Sequence, residues 1–452
     1  MFTQPAIDVV GMAEVAGVLK GVSERRTCVS GLPIFAGEMP VAALAEEIQT
    51  PGKGQIRALV THAGNPVLST PNGRQLDAAF EQLEFMVCVD IYLNETTRHA
   101  DLILPPTSAL ERGHFDVLLN AWAVRNVVKY SSPMLPRPEG ALHDWEILLE
   151  LAVRLKSSNP FERIWWRNVQ RIAESLKMEG MLDWLLRTGP YGHQPSTLPR
   201  LRRWLQRSPV SGKLYRRLEA VLLEATSKNR MGVLRQATAL LNAKSRGLDL
   251  ATVAAHPHGL DLGPLQSVLP DRLFTEDRRL KLAPEKFVAD LERARTRLAE
   301  RVDASTLLLI GRRHVRSNNS WMHNAHRLVK GKGRCTLMVH PDDAEALGIT
   351  AGDQVRVSSR VGEIDLPAEV TADVMRGVVS VPHGFGHDRK GVKLSVAAQH
   401  AGVSVNDITD EKFVDALTGV AALNGMPVKV KALAAKKVIS SGVKSTEETQ
   451  VP

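Results

Sequence analysis

Cysteine is scarce in this sequence. The 452 residues contain three, Cys28, Cys88 and Cys335, and no two of them are close enough to form a CxxC pair. This spacing excludes a disulfide framework and the usual cysteine-based zinc motifs. Cys88 lies inside an apolar run, and we therefore expect buried free thiols.

Long hydrophobic runs are also missing. No stretch approaches eighteen uninterrupted apolar residues, so no membrane span is expected. The first ten residues, MFTQPAIDVV, lack the basic region and apolar core of a secretory signal, which predicts a cytoplasmic location. The length is sufficient for two or three domains with hydrophobic cores.

The net positive charge is confined to one segment. Residues 151–246 contain 19 lysines and arginines against 6 acidic residues, an excess of 13, whereas the whole chain carries +9. From residue 161 to about 244 the pattern is helical, with basic residues opposite an apolar, tryptophan-bearing stripe. Such a face could be solvated or dock a partner, or it could bind nucleic acid or an anionic membrane. The absence of a recognised nucleic-acid motif favours the first interpretation and makes nucleic acid an unlikely partner.

Residues 57–111 have the clearest local pattern. Residues 57–61 (RALVT) and 85–90 (FMVCVD) predict short strands, the first of them buried. Residues 73–83 predict a helix between them, and a third apolar run follows at 101–104. Such a short strand, helix and strand unit predicts parallel neighbours joined by a right-handed crossover.

Loops at the carboxyl ends of parallel strands line a common crevice where ligands bind. Gly64 would let the backbone approach a ligand, Asn65 and Thr96 would supply neutral hydrogen bonds, and Asp90 would supply a carboxylate. That carboxylate suits an amine or hydroxyl, such as a guanine edge or a ribose. The alternative is that the Gly-Asn-Pro string is only a turn and Asp90 only ends a strand.

Two strings in this stretch, HAGNPVLSTPN and FMVCVDIYLNETTRHADLILPPTSALE, together resemble the third domain of the molybdopterin oxidoreductases. These are bis-pterin enzymes of molybdenum or tungsten, and in them this domain holds the guanine dinucleotide end of one pterin. The resemblance implies cofactor contacts from Gly64, Asn65 and Pro66, nucleotide recognition by Asp90 and a supporting role for Thr96.

Residues 305–431 predict a small barrel, because turns rich in Gly, Asp and Pro separate five short strands, at 307–310, 336–340, 355–358, 362–370 and 378–381. The strings DDAEALG and GEIDLPAEVTADVMRGVVSVPHG resemble the fourth domain of the same family, a six-stranded double-psi barrel. By resemblance its loops contact the pterins and diphosphates, and the alternative is a solvated basic patch. The matching positions are Arg312, Arg313, Asn318, Ser320, Trp321, His383 and Asn406.

The string HPHGLDLGP at 256–264 could suggest metal ligation by two histidines and an aspartate. Its spacing fits no standard zinc pattern, and its Pro and Gly content predicts a loop. The resemblance implies a segment that carries the chain back across the cofactor cleft without a metal.

The expected fold is an α/β domain with a parallel sheet, followed by a helical segment and a small double-psi β-barrel domain. The expected boundaries are 1–156 for the α/β domain, 157–303 for the basic helical segment and return linker, 304–431 for the barrel and 432–452 for a disordered tail.

The function implied is that of the carboxyl-terminal part of a molybdopterin-dependent oxidoreductase, similar to the formate dehydrogenase and acetylene hydratase branches. It would be either a truncated gene product or one half of a split enzyme. In the second case it would share molybdopterin guanine dinucleotide, with molybdenum or tungsten, with a partner chain that carries the amino-terminal domains. The sequence supplies no catalytic residue, metal ligand or cysteine set for an iron–sulfur cluster. The alternatives are an inactive cofactor-binding or scaffold protein, and an anion- or nucleic-acid-binding module acting through residues 151–246.

Overall fold

The computed structural model describes residues 5–7, 22–35, 37–156, 159–192, 247–267, 279–299 and 305–433, together with a few isolated positions between 269 and 303. By internal contacts these residues form two units. One contains residues 5–7 and those between 104 and 289, and the other contains residues 22–103 and those from 290 to 433. Each unit has its own buried apolar cluster.

The strands are short. In chain order they are β1 Val22–Arg26, β2 Pro33–Phe35, β3 Ala58–His62, β4 Phe85–Val89, β5 Leu102–Ile103, β6 His114–Phe115, β7 Arg125–Val128, β8 Tyr130–Ser131, β9 Leu260–Pro264, β10 Leu307–Arg312, β11 Leu337–Val339, β12 Gln354–Ser358, β13 Glu363–Val370, β14 Val378–Pro382 and β15 Met426–Ala432.

The helices vary more in length. The α-helices are α1 Leu44–Gln49, α2 Pro66–Ser69, α3 Gly73–Phe80, α4 Asp144–Lys156, α5 Pro160–Thr188, α6 Leu250–Ala254, α7 Glu285–Ala299, α8 His326–Val329 and α9 Pro341–Ala346. Six 3₁₀ turns lie at Val41–Ala43, Thr97–His99, Leu119–Trp122, Trp321–Asn324, Ala397–His400 and Val405–Asp407.

Strands β3, β4 and β5 form a parallel sheet in that order, which confirms the predicted α/β arrangement. Helix α3 crosses from β3 to β4 and begins after Asn72, whose side chain accepts a hydrogen bond from the backbone N–H of Gln75. The central strand β4 is buried from Met86 to Val89 because it has a neighbour on each side. One face of the sheet packs on α1 and α3 through an apolar cluster that includes Ile48, Leu76 and Phe80.

The prediction that the first strand is buried was wrong. The strand runs from Ala58 to His62, and Val60 is 46% exposed. β3 is an edge strand that pairs only with β4 in the described sheet. Side chains of a strand alternate between faces, so only Leu59 and Thr61 point towards the helix-covered side, where Met86 and Cys88 lie in register with them.

The barrel is closed by six strands in the order β10, β14, β11, β13, β12 and β15, as expected for the predicted double-psi barrel. Two neighbouring pairs are parallel, β10 with β14 and β11 with β13, and the other four pairs are antiparallel. Inward residues such as Leu309, Val355 and Val379 are completely buried. The sixth strand, β15, was missed by the sequence analysis, although its MPVKVKA string alternates apolar and polar residues.

The other described unit contains helices α4 to α6 and strands β6 to β9. Helix α5 has a non-helical residue, Lys177, within it. Leu182, Leu186 and Val253 belong to its apolar cluster.

Two further sequence interpretations were wrong in detail. The HPHGLDLGP string is a loop only in its first half, because residues Leu260–Pro264 form β9 and pair with β7. Cys28 is exposed rather than buried, whereas Cys88 is buried.

Most of the basic segment, residues 193–246, and the expected tail from residue 434 lie outside the described residues. Among the helices that the structure describes, none is long and apolar enough to cross a membrane.

Candidate functional site

In the loop that follows β3, residues 62–66, the side chain of Asn65 bonds within the protein. Asn65 Nδ2 donates to Glu95 Oε2 (2.7 Å), and Thr96 Oγ1 donates to Asn65 Oδ1 (2.7 Å). Both polar atoms of the Asn65 side chain are therefore used within the protein. The loop is left to present its backbone, and a Cβ added at Gly64 would meet only its own loop, at 3.8 Å or more.

Asp90 follows β4 directly and is 5% exposed. Its Oδ1 accepts the backbone N–H of Tyr92 (2.9 Å), and its Oδ2 accepts a long hydrogen bond from Asn94 Nδ2 (3.3 Å). Burial raises the pKa of Asp90, and these hydrogen bonds offset that effect only in part. A carboxylate in this setting gains from any further donor that reaches Oδ2.

Residues 311–321, which begin in the last two residues of β10, are here called the barrel loop. They contain two adjacent arginines in different settings. The Arg312 guanidinium donates to the carbonyls of Ser380, Arg334 and Thr336 at 3.0 to 3.2 Å, and burial lowers its pKa. Arg313 is exposed, and no carboxylate lies within ion-pair distance of it in the described part of the chain. Arg312 therefore fixes the barrel, and Arg313 is available to an anion.

The rest of the barrel loop is bent into a compact, outward-facing turn. Asn318 and Asn319 have φ of 40° and 60°, and both side chains are exposed, as is Trp321 at 42%. The turn packs on the segment after β14, because a Cβ added at Gly384 would lie 2.0 Å from the carbonyl oxygen of Asn319. Only glycine allows this close approach.

His383 begins that segment, and its backbone N–H donates to the carbonyl of Arg312 (2.9 Å). Burial and the charge of Arg313 lower the pKa of His383 to about 4. The imidazole is therefore neutral at pH 7, with one nitrogen that donates a hydrogen bond and one that accepts.

A row of buried polar side chains links the two loops. Glu95 Oε1 lies 2.9 Å from His387 Nδ1, His387 Nε2 lies 3.0 Å from His323 Nδ1, and His323 Nε2 lies 2.8 Å from Ser317 Oγ. All four side chains are less than 7% exposed. We call Asn65, Glu95, His387, His323 and Ser317 the buried chain.

Charge in the buried chain is concentrated at its glutamate. Burial raises the pKa of Glu95, but the hydrogen bond and charge of His387 and the amide of Asn65 outweigh burial and bring it below its ordinary value. Burial and the charge of His387 lower the pKa of His323 to about 4. At pH 7 the buried chain thus contains an ionised Glu95 carboxylate and a neutral His323.

A second polar cluster joins α3 to the segment after His387. Arg389 donates to Asp77 and to Asp407 at 2.7 Å each, and Arg98 also donates to Asp77. Burial raises the pKa of Asp77, but hydrogen bonds from His99 and Arg98 and the charge of Arg389 bring it far below its usual range. These ion pairs are partly buried and connect the sheet region to the barrel within one unit.

Within the described residues, no group of three or more His, Cys, Asp or Glu side chains is arranged to hold a metal ion. What the two loops offer instead is backbone at Gly64, a cation at Arg313, amides at Asn318 and Asn319, a neutral imidazole at His383 and an exposed aromatic face at Trp321.

Comparison with known families decides what these loops belong to. Residues 24–154 match the model of the molybdopterin oxidoreductases, and residues 307–427 match that of the molybdopterin dinucleotide binding domain. The two matches together cover more than half of the chain. The chain belongs to the molybdopterin oxidoreductase family.

Curated relatives with long matches are distant. The alpha subunit of a formate dehydrogenase from Methanocaldococcus jannaschii is 25% identical over 78% of this chain and 42% of its own length. Trimethylamine-N-oxide reductase from Haemophilus influenzae is 23% identical over 77% of this chain and 39% of its own length. The chain thus spans about 40% of the length of these relatives.

Among solved structures, acetylene hydratase from Pelobacter acetylenicus superposes with a TM-score of 0.56 at 15% sequence identity. The superposition covers 95% of this chain and 51% of the hydratase. At this identity the likeness shows a shared fold.

The molybdopterin oxidoreductase fold brings most of the predicted site residues to the two loops, and these residues fall into three groups. The first group forms side-chain hydrogen bonds within the protein and contains Asn65, Thr96, Arg312 and Asn406. Asn406 Nδ2, for example, donates to the carbonyl of Leu68 (2.6 Å). Asp90 is buried with a partly used carboxylate, and Ser320 and Pro66 are half-buried. Gly64, Arg313, Asn318, Trp321 and His383 remain open to a ligand by backbone or side chain.

The sequence patterns did not reveal the interior of the buried chain. Glu95 lies within the FMVCVDIYLNETTRHADLILPPTSALE string without a role assigned to it, and His387 lies just beyond the string that ends in VSVPHG. The available signal was a single carboxylate between neutral residues in NETT, but Arg98 stands three positions further on and pairs with Asp77 instead. The partner of Glu95 lies 292 positions away, so spacing alone could not find it.

Proposed function

We propose that this chain binds the guanine dinucleotide and pterin parts of a molybdopterin cofactor between the loop at 62–66 and the barrel loop. The observation that supports it most is that both loops lie in one unit, are tied together by the buried chain, and offer their remaining groups outwards. Exposed donors of this kind suit a phosphorylated, nitrogen-rich heterocycle.

Each group has a separate task in this proposal. Arg313 binds a phosphate, because guanidinium pairs with phosphate through two parallel hydrogen bonds. Gly64 and Pro66 lie against the ligand by their backbone, and Asp90 accepts hydrogen bonds from the guanine edge. Asn318, Ser320, Trp321 and His383 bind or stack on the pterin and its diphosphate. The remaining four predicted residues, Asn65, Thr96, Arg312 and Asn406, hold the loops in place.

The donor set of these loops fits the cofactor, which would supply the metal-centred chemistry of the family when bound. The described residues themselves orient the ligand and shield it from water. We propose molybdenum or tungsten as the metal, with an activity of the oxidoreductase type. Matches to both a formate dehydrogenase subunit and an amine-oxide reductase leave the substrate class open to measurement.

We further propose that a second polypeptide segment, carrying the amino-terminal domains of the family, completes the cofactor site. The basis is that the chain spans about 40% of its relatives. Co-expression with such a segment should give a complex that contains metal and pterin. A stable complex without either would contradict the proposal and favour a scaffold that has lost the chemistry.

The binding step is testable with GDP as the probe, because GDP carries the guanine, ribose and diphosphate of the cofactor. Titration of the full chain, followed by calorimetry and by Trp321 fluorescence, should show binding of GDP and weaker binding of ADP. Arg313→Ala should weaken GDP binding by about 1.5–3 kcal/mol, the contribution of a hydrogen bond to a charged group.

Arg376→Ala is the matched control, since Arg376 is exposed and pairs with Asp342 elsewhere on the barrel. It should leave GDP binding unchanged. Equal losses in the two variants would mean that GDP responds only to net charge, and no binding to the unmodified chain would reject the site.

A further inference from the structure

The buried chain contains four hydrogen bonds and one pair of histidines, and no role has yet been given to its interior. It begins at Asn65 in the loop after β3 and ends at Ser317 in the barrel loop, so its two ends lie in the two loops that face the proposed ligand. Between them lie the loop after β4 and the segment after β14.

The direction of the hydrogen bonds follows from chemistry. Ionised Glu95 can only accept, so His387 Nδ1 must donate to it. The next contact joins two imidazole nitrogens, His387 Nε2 and His323 Nδ1, and one of them must be protonated while the other is not. Two arrangements satisfy this requirement.

In the first arrangement His323 donates to His387 and accepts from the hydroxyl of Ser317. Both histidines are then neutral, and the buried carboxylate has no compensating charge. In the second, His387 is protonated on both nitrogens and donates to Glu95 and to His323, and His323 Nε2 donates to Ser317. This arrangement leaves the interior with no net charge, which a buried carboxylate strongly favours.

His323 is packed on the Phe385 ring, with centroids 4.4 Å apart, and is near the cation of Arg334, so a charge is disfavoured there. His387 lies between the carboxylate of Glu95 and the neutral His323, with its ring 90° to that of His323. Both arrangements leave His323 neutral and keep all four hydrogen bonds, so the buried chain connects the two loops in either case.

We propose that the buried chain is a positioning device, in which His387, bonded to both Glu95 and His323, fixes the loop at 62–66 and the barrel loop in one register. Glu95, His387, His323 and Ser317 are positioning residues that contact no ligand themselves. The relevance of this register to cofactor binding rests on the proposed function, but the coupling between the loops does not.

The coupling is measured on the full chain without cofactor. Glu95→Gln removes the charge and leaves a single oxygen where the carboxylate accepts from both Asn65 and His387, so one of these two hydrogen bonds is lost or reversed. Amide hydrogen exchange in this variant should rise by about tenfold or more at residues 62–66 and at residues 317–323 together, because opening at one end releases the other. His340→Gln, a change at a histidine that caps α9 and lies outside the buried chain, should leave the exchange rates of both loops unchanged.

The hydrogen bonds of the two histidines are read by nitrogen NMR of their rings. His387 should carry a proton on Nδ1 that is bonded to Glu95, and Glu95→Gln should shift the ring signals of both histidines. Faster exchange in only one loop, or a His387 ring without a proton on Nδ1 in the unmodified protein, would overturn the proposal.

If Glu95→Gln does not fold, the unmodified spectrum and the Ser317→Ala variant still decide. Ser317→Ala removes only the last hydrogen bond and should loosen the barrel loop while changing the His323 ring signal. The outcome is independent of GDP binding, so loops that are coupled without binding GDP would reject the proposed function and keep this inference.

Discussion

The loop after β3 and the barrel loop face the same proposed ligand but are built in opposite ways. In the first, Asn65 and Thr96 bind inwards and the backbone is left for the ligand. In the second, Arg313, Asn318 and Trp321 are exposed, whereas Arg312 and Ser317 bond within the protein. A residue that matches a family motif can therefore serve the site either by contact or by support, and burial tells the two apart.

The largest expected effect comes from breaking the inward-facing side. Glu95→Leu should lower the free energy of unfolding by about 3–5 kcal/mol, because it leaves His387 buried without its partner. Urea denaturation of the full chain measures the change. Val315→Ala, at an exposed position of the barrel loop, should change it by less than about 0.5 kcal/mol. Equal effects would mean that the two loops do not differ in this way.

Acid should lower the stability of the protein through two histidines that lie beside the barrel loop, His323 and His383. The pKa of His323 and of His383 lies at about 4, below the ordinary 6.5. The unfolded chain therefore binds protons at these residues before the folded chain does. Stability should fall as the pH drops from about 6.5 to 4, by on the order of 3 kcal/mol for each histidine.

Replacing His383 isolates its share of this dependence of stability on pH. Denaturation midpoints measured between pH 7 and 4 should depend less on pH in His383→Gln, whereas His400→Gln, at an exposed histidine, should keep the full slope. Asp77 adds its own loss only below about pH 4, because its folded pKa is depressed. An unchanged slope in His383→Gln would show that this residue titrates normally.

The two adjacent arginines sharpen the comparison within the barrel loop. Arg312→Ala should lower stability by about 1–3 kcal/mol, because the carbonyls of Ser380, Arg334 and Thr336 lose their donor. Arg313→Ala should weaken GDP binding and leave stability unchanged. Thermal unfolding combined with GDP titration tests both, and the reverse result would assign Arg312 to the ligand.

The smallest effect on stability is expected at Gly64. An added Cβ would lie 3.8 Å from the carbonyl oxygen of His62 and 3.9 Å from Pro66 Cδ, both ordinary contacts. Gly64→Ala should therefore change the free energy of unfolding by less than about 0.5 kcal/mol. It should nevertheless weaken GDP binding, because the methyl group keeps a ligand from the backbone. Undiminished binding would show that the ligand does not approach this loop.

Much of the fold could be predicted from local pattern. The parallel strands around α3 and five of the six barrel strands follow from short apolar runs between turns. The burial of β3 could not be predicted, because it depends on which strand occupies the edge of the sheet. The split between Arg312 and Arg313 also escaped the sequence, since both are equally basic and only the carbonyls around Arg312 distinguish them.

The sequence by itself determined the order of the elements, the family motifs and the two loops that carry them, because these depend on residues close together in the chain. Only the tertiary structure decided which motif residues are exposed and which bond within the protein. It also paired Glu95 with His387 across 292 positions, since a buried carboxylate must find its counter-charge wherever the folded chain places it.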